Sequence, residues 1–285
     1  MVNELYDING GLSFSVKCRQ YGEQDKGISP QGAQDQTAFL TAYYMLGKPT
    51  KFTCSEIIYP GKITFNEDIL FIITGSPYQN VQLIGGSKKQ LSRVQHACIY
   101  KAEQGSQLVL KDREIGFRTI LMAVSLSQEN QHRMGIARGE FHYYFPYWRE
   151  LNQPFRVFEG PEFHILKDQT IFESEWQLDK QSNQMGVRLL GSDVPHHKLQ
   201  MISQPVNDGT IQLSPNGPII LMRHRQTTGG YPRVANVAEV DIDRLAQIPL
   251  GSRITFEKIS FDDAVNLKYG YSNALSNIKS KFGNF

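Results

Sequence analysis

Cysteine is scarce in this chain, with Cys18, Cys54 and Cys98 the only three. An odd, widely spaced set is neither a disulfide framework nor a zinc pattern, so reduced thiols and a cytoplasmic location are expected. Charge of one sign is also lacking: 30 Lys and Arg face 28 Asp and Glu, a formal balance of +2. That argues against non-specific nucleic-acid binding, which calls for a strong basic excess. The longest apolar run, Ile69-Leu70-Phe71-Ile72-Ile73, is far shorter than the roughly 20 residues of a membrane-spanning helix. Residues 1–7 carry no basic region and no apolar core, so no secretory signal is expected there. Phosphate loops of the GxxxxGK[ST] type, GxGxxG, HExxH and GxSxG are all missing. His196-His197 point to opposite sides of an extended chain and chelate one ion poorly, so no metal site is expected.

The 24 glycines and 13 prolines punctuate many short apolar runs. Lys62–Phe65, 69–74, 107–110, 118–124, 211–213, 219–222 and 253–259 all read as strands bounded by turn residues. Asp208-Gly209, Asn216-Gly217 and Pro60-Gly61 are turn signals. Helices are few. One runs from a Ser29 cap and Pro30 to Met45 and closes at Gly47; a short one covers 241–247; a terminal one follows Ser260 and breaks near Gly270. An aromatic, proline-containing connector near residues 145–158 separates two strand-rich halves, giving domains 1–150 and 151–285. The fold class is mainly β, with two barrels or sandwiches in tandem.

Three stretches carry candidate chemistry. Gln226-Thr227-Thr228-Gly229-Gly230-Tyr231-Pro232 sets two hydroxyls beside two glycines, just after Arg223-His224-Arg225 and before Arg233. Hydroxyls and bare N–H groups in a turn form a hollow for a carboxylate, a carboxylated amide or a phosphate; a plain Gly-Gly hairpin turn is the alternative. Arg188, between Val187 and Leu189, reads as a buried arginine that needs a partner, either an anionic ligand or a structural carboxylate. Gln212, between Ile211 and Leu213, offers one donor and one acceptor to a cyclic amide, or bonds to backbone. His224 is either a neutral acid/base group or an ordinary surface histidine. In the first half, Asp35 lies early in the predicted helix, and Glu56 is a carboxylate in an apolar strand that calls for an arginine.

Taken in order, these stretches resemble the biotin-dependent carboxyltransferase-like family. It includes the C-type subunit of the bacterial ATP-dependent 5-oxoprolinase, the second subunit once called allophanate hydrolase, and the carboxyltransferase part of urea carboxylase. The resemblance rests on Gly160-Pro161, Ser182 to Gly191 (the family's SNRMGxRLxG), Ser203 to Gln212 (SxxxxxGxIQ), Pro218 to Pro232 (PIxLxxxxQTTGGYP), Asp241 to Gln247, and Gly251. Gly27 to Asp35, Glu56 and Gly75 fit elements of its first half.

The resemblance implies two tandem cyclophilin-like β-barrel domains, the family's smaller first subunit as partner, and a third oxoprolinase subunit. The implied activity is ATP-dependent opening of 5-oxoproline to glutamate, with ATP a cofactor of the complex. The alternatives are a carboxyltransferase component served by biotin from another chain, or a non-catalytic subunit that regulates its partner. Substrate-binding candidates are Arg188, Ser203, Gln212, Gln226, Thr227, Thr228, Gly229, Gly230 and Tyr231, and no catalytic residue is named. The sequence departs from the family at Ser15 to Gly22, where Cys18 replaces an acid; at Gln184, where the family has arginine; and at His224, where it has an acid.

Overall fold

The short apolar runs become strands, and strands dominate the chain. The computed structural model describes residues 5–85, 92–126 and 150–282, so residues 145–149 of the expected connector lie outside the described residues. The chain divides into two compact units, Met1–Lys17 with Asp35–Trp148 and Ala274–Phe285, and Cys18–Gln34 with Arg149–Asn273.

In the first unit two five-stranded sheets enclose one apolar core. One sheet runs Tyr6–Asn9, Lys62–Phe65, Gln107–Arg113, Tyr78–Ile84, Ser92–Arg93; the other runs Leu12–Ser15, Thr53–Tyr59, Thr119–Ser125, Ile69–Gly75, Ile99–Ala102. Strand Ile69–Gly75, which holds the longest apolar run, is buried along its whole length. A helix packs near it: Thr74 Oγ1 donates to the Ala38 carbonyl at 2.8 Å. A strand covered on both faces has no polar alternation to show.

That helix spans Gln36–Met45, which corrects the expected start at Ser29. Gln31 (φ 51°) and Gly32 (φ 87°) take left-handed backbone conformations that no right-handed helix accommodates. The cap is Asp35, whose side chain accepts from the Ala38 N–H at 2.8 Å. The Asp35 N–H in turn donates to Glu56 at 3.1 Å, and Glu56 faces Arg118 at 3.5 Å, the arginine its burial demanded.

The second unit is built on one eight-stranded sheet. In spatial order its strands are Arg253–Ile254, Trp176–Leu178, Gly186–Leu190, Gly217–Leu221, Thr210–Ser214, Arg233–Val237, Phe155–Glu159 and Phe256–Lys258. The two edge strands are separated in sequence by Thr255 alone. A sheet whose opposite edges are one residue apart must curl on itself, so it forms a nearly closed barrel. The single strand expected over 253–259 is therefore two strands, one on each edge. Trp176, Ile211, Ile220, Val234 and Val157 fill the interior.

Helix Glu239–Ala246 lies against this barrel, with Asp241 buried and bonded to the Arg156 guanidinium. Helix Phe261–Phe282 runs straight through Gly270, which corrects the expected break. One glycine weakens a helix by about 1 kcal/mol and does not end it.

Candidate functional site

The site builds from a row across the outer face of the barrel. Directly paired residues of neighbouring strands share a face. Arg188 pairs with Ile219, and Ile219 with Gln212. Their neighbours Val187, Ile220 and Ile211 point into the core. Arg188 and Gln212 therefore stand on one outward face, two strand spacings or about 10 Å apart. The expectation of a buried Arg188 is corrected: strand alternation turns it out to solvent between two buried neighbours.

Gln212 is different, since the chain covers it. Strand Thr228–Gly229 pairs antiparallel with Gln204–Pro205, and this two-stranded ribbon crosses over the glutamine. Gln212 is only 2% exposed and its Nε2 donates to the Tyr231 carbonyl at 3.1 Å. A Cβ on Gly229 would sit 2.5 Å from Gln212 Nε2, and one on Gly230 would meet Ser203 Oγ at 3.8 Å. The structure thus gathers Gln212, Gly229, Gly230, Tyr231 and Ser203, with Thr228 exposed on the ribbon. Gln226 is exposed and Thr227 half-buried, its carbonyl accepting the Val206 N–H at 3.1 Å.

The expected turn at Gly229-Gly230 is corrected as well. Neither glycine takes a positive φ, so no left-handed residue bends successive N–H groups into an anion hollow. Gly229 serves close approach instead, laying backbone directly on the Gln212 amide.

The nearby arginines are largely engaged by carboxylates. Arg233 forms a fork on Glu162, with Nε and Nη2 at 2.9 and 2.7 Å. That bond holds the Glu162 carboxyl below its ordinary pKa. Arg223 donates to Asp243 at 2.5 Å and to the Gln34 carbonyl at 3.0 Å, and Tyr271 donates to the other Asp243 oxygen at 2.8 Å. His224 donates Nε2–H to the Gly32 carbonyl at 2.7 Å, which ties down the 28–34 segment. The Gln184 carbonyl accepts from the His224 N–H and from Gln34 Nε2, while its own Nε2 is buried with no partner among the described residues.

Arg19, Gln34, Asp208 and Asp243 were not among the candidates. Arg19 reaches Asp208 at 2.7 Å. The available signal was charge itself, since Asp208 read only as a turn residue and Arg19 only as part of a degraded motif. No group of three or more His, Cys, Asp and Glu that would suit a metal ion occurs among the described residues. No described helix is long and apolar enough to cross a membrane.

Residues 123–258 match the family profile described as carboxyltransferase domain, subdomain A and B. The C-type subunit of 5-oxoprolinase from Haemophilus influenzae is 28% identical over 300 residues, covering 93% of this chain and 94% of that protein. Over these stretches the chain is similar to carboxyltransferase-like proteins. A second relative, the C-type subunit of 5-oxoprolinase from Escherichia coli, is 41% identical over 118 residues, 40% of this chain and 38% of that one. The crystal structure of Kluyveromyces lactis urea amidolyase superposes with a TM-score of 0.75 at 18% identity, covering 96% of this chain and 20% of that one. At that identity the likeness is one of fold, and it agrees with the mainly β, barrel architecture expected of a carboxyltransferase-like chain.

Proposed function

We propose that this carboxyltransferase-like chain is a subunit of a 5-oxoprolinase-type system. With the family's smaller first subunit and a third subunit in a cytoplasmic hetero-oligomer, it opens 5-oxoproline to glutamate at the expense of ATP. The observation that carries this reading is the end-to-end likeness to the C-type subunit of a 5-oxoprolinase. The site chemistry agrees with it. Water must add to the lactam carbonyl and the ring C–N bond must break, so negative charge grows on one oxygen. The Thr228 hydroxyl, exposed on the ribbon over Gln212, and Arg188, exposed on the same outward face of the sheet, are donors available to that oxygen.

ATP does not fit the residues of this chain. No phosphate loop occurs in the sequence, and Arg19, Arg223 and Arg225 surround the Asp208 carboxylate, which would meet a triphosphate with like charge. We therefore assign nucleotide binding to another subunit and derive no step through it. The match to a profile described as a carboxyltransferase domain favours a second reading, acceptance of a carboxyl group from biotin carried on another chain.

The test is ATP-dependent glutamate release from 5-oxoproline by the chain purified with its partner subunits. Turnover that needs this chain supports the first reading. Silence from the complete complex removes it; carboxyl transfer from a biotinylated carrier would then favour the second, and stable partner binding without any turnover would favour a regulatory role.

A further inference from the structure

Three guanidiniums converge on one carboxylate in the second unit. Arg19 Nη2 lies 2.7 Å and Arg223 Nη1 3.3 Å from Asp208 Oδ2, and Arg225 Nη1 lies 3.3 Å from Oδ1. Arg223 is otherwise satisfied by Asp243 and the Gln34 carbonyl. Arg19 and Arg225 are not. Nε and Nη1 of both are buried without an acceptor among the described residues, and the Arg225–Asp208 contact is not aligned as a hydrogen bond, leaving Asp208 Oδ1 unbonded too. The side chains are 9% and 7% exposed, so any acceptor that reaches these donors must part the side chains around them. A buried donor from which nothing accepts destabilises the fold. Charge points the same way: three guanidiniums against Asp208 and Asp243 leave one positive charge in excess.

We propose that Arg19 and Arg225 together hold a small monocarboxylate, its two oxygens accepting from the unsatisfied Nε and Nη1 groups. A single negative charge balances the excess, whereas a phosphate dianion would overshoot it beside Asp208. The Tyr21 ring lies 5.4 Å from the Arg19 guanidinium and is 69% exposed, which marks the solvent side of the cluster. Arg225 immediately precedes the Gln226 to Pro232 stretch. The binding site stands on the two arginines alone. Equating its occupant with the carboxylate of the lactam substrate rests on the function proposed above.

The experiment is calorimetric titration of the full chain with acetate, 5-oxoproline and inorganic phosphate at fixed ionic strength. Acetate or 5-oxoproline should bind, and Arg19→Gln or Arg225→Gln should weaken that binding at least tenfold. Circular dichroism checks that the variants fold, and Arg19→Lys and Arg225→Lys, which keep the charge, stand in for a Gln variant that unfolds; a Lys variant should bind measurably more weakly because its donors sit elsewhere. No carboxylate binding, equal binding of phosphate, or binding unchanged in the variants overturns the proposal. If acetate binds through both arginines and 5-oxoproline does not, the site stands and the substrate reading fails. If the complex turns over 5-oxoproline at full rate in both Gln variants, the function stands and this placement of the carboxylate fails.

Discussion

Gly229 offers the sharpest test of how the site is held together. In Gly229→Ala the new methyl lies 2.5, 3.1 and 3.2 Å from Gln212 Nε2, Oε1 and Cδ, so the amide must move. Moving it breaks the 3.1 Å bond to the Tyr231 carbonyl, and at 2% exposure no solvent replaces that bond. A buried group left unbonded costs about 1–3 kcal/mol, and overpacking a further 1–3. Partial relaxation of the glutamine overlaps the two costs, so a loss of about 2–4 kcal/mol is expected. For a domain of this size that is a fall of roughly 6–12 °C in Tm. Trp176, wholly buried in the same barrel, reports unfolding by fluorescence once the second tryptophan, Trp148, is changed to Phe. The diagnostic measurement is a double-mutant cycle. In a Gln212→Ala background the three nearest obstacles to the methyl are gone, and Gly229→Ala should cost less than about 1 kcal/mol. Additive losses would refute the account, because they would show that the glycine is required by something other than the glutamine beneath it.

Other perturbations follow from the same geometry. Thr228→Val and Arg188→Ala should each abolish turnover by the complete complex, with circular dichroism unchanged because both side chains are exposed; wild-type rates in both variants would show the site is misplaced. His96, whose burial lowers its pKa from 6.5 to about 4, uses Nε2 to accept the Tyr78 N–H at 3.1 Å. The unfolded chain therefore binds its proton first as pH falls, and the stability His96 contributes above 6.5 should drain away toward pH 4. Urea titrations across that range should show a shallower acid-side decline in His96→Gln, and parallel profiles would contradict the assignment. Gly270 is exposed within helix Phe261–Phe282 with open space where a Cβ would stand; Gly270→Ala should raise stability by about 0.5–1 kcal/mol, and a loss would indicate that the helix bends there.

The seven runs read as strands were legible because each shows an apolar or β-branched stretch and a punctuating turn residue. The barrel closure was not, since 253–259 carries one continuous β pattern and nothing local says that the chain changes edges at Thr255. The helix start was misread for a related reason. Ser29-Pro30 is a sound local cap signal, but Gln31 and Gly32 turn left-handed while the His224 ring bonds the Gly32 carbonyl, and neither is visible in a window of a few residues. The ribbon over Gln212 was half legible: its residue types stood out, but two glycines in a row suggested a turn where the tertiary need was a bare backbone lying on an amide. Arg188 shows the limit of reading neighbours, because flanking apolar residues on a strand point away from the residue between them. The Asp208 cluster could not be read at all, since its arginines come from positions 19, 223 and 225 and only the fold brings them to one carboxylate.

The curled sheet of the second unit also constrains how other proteins can attach to it. A free, long sheet margin is a template onto which a foreign strand can zip by backbone pairing. Here the margins are Arg253–Ile254 and Phe256–Lys258, two and three residues long. So little ladder is left that strand addition is a poor route to this barrel. Companion proteins that dock on it must read side chains and loops, which allows their specificity to change without disturbing the sheet.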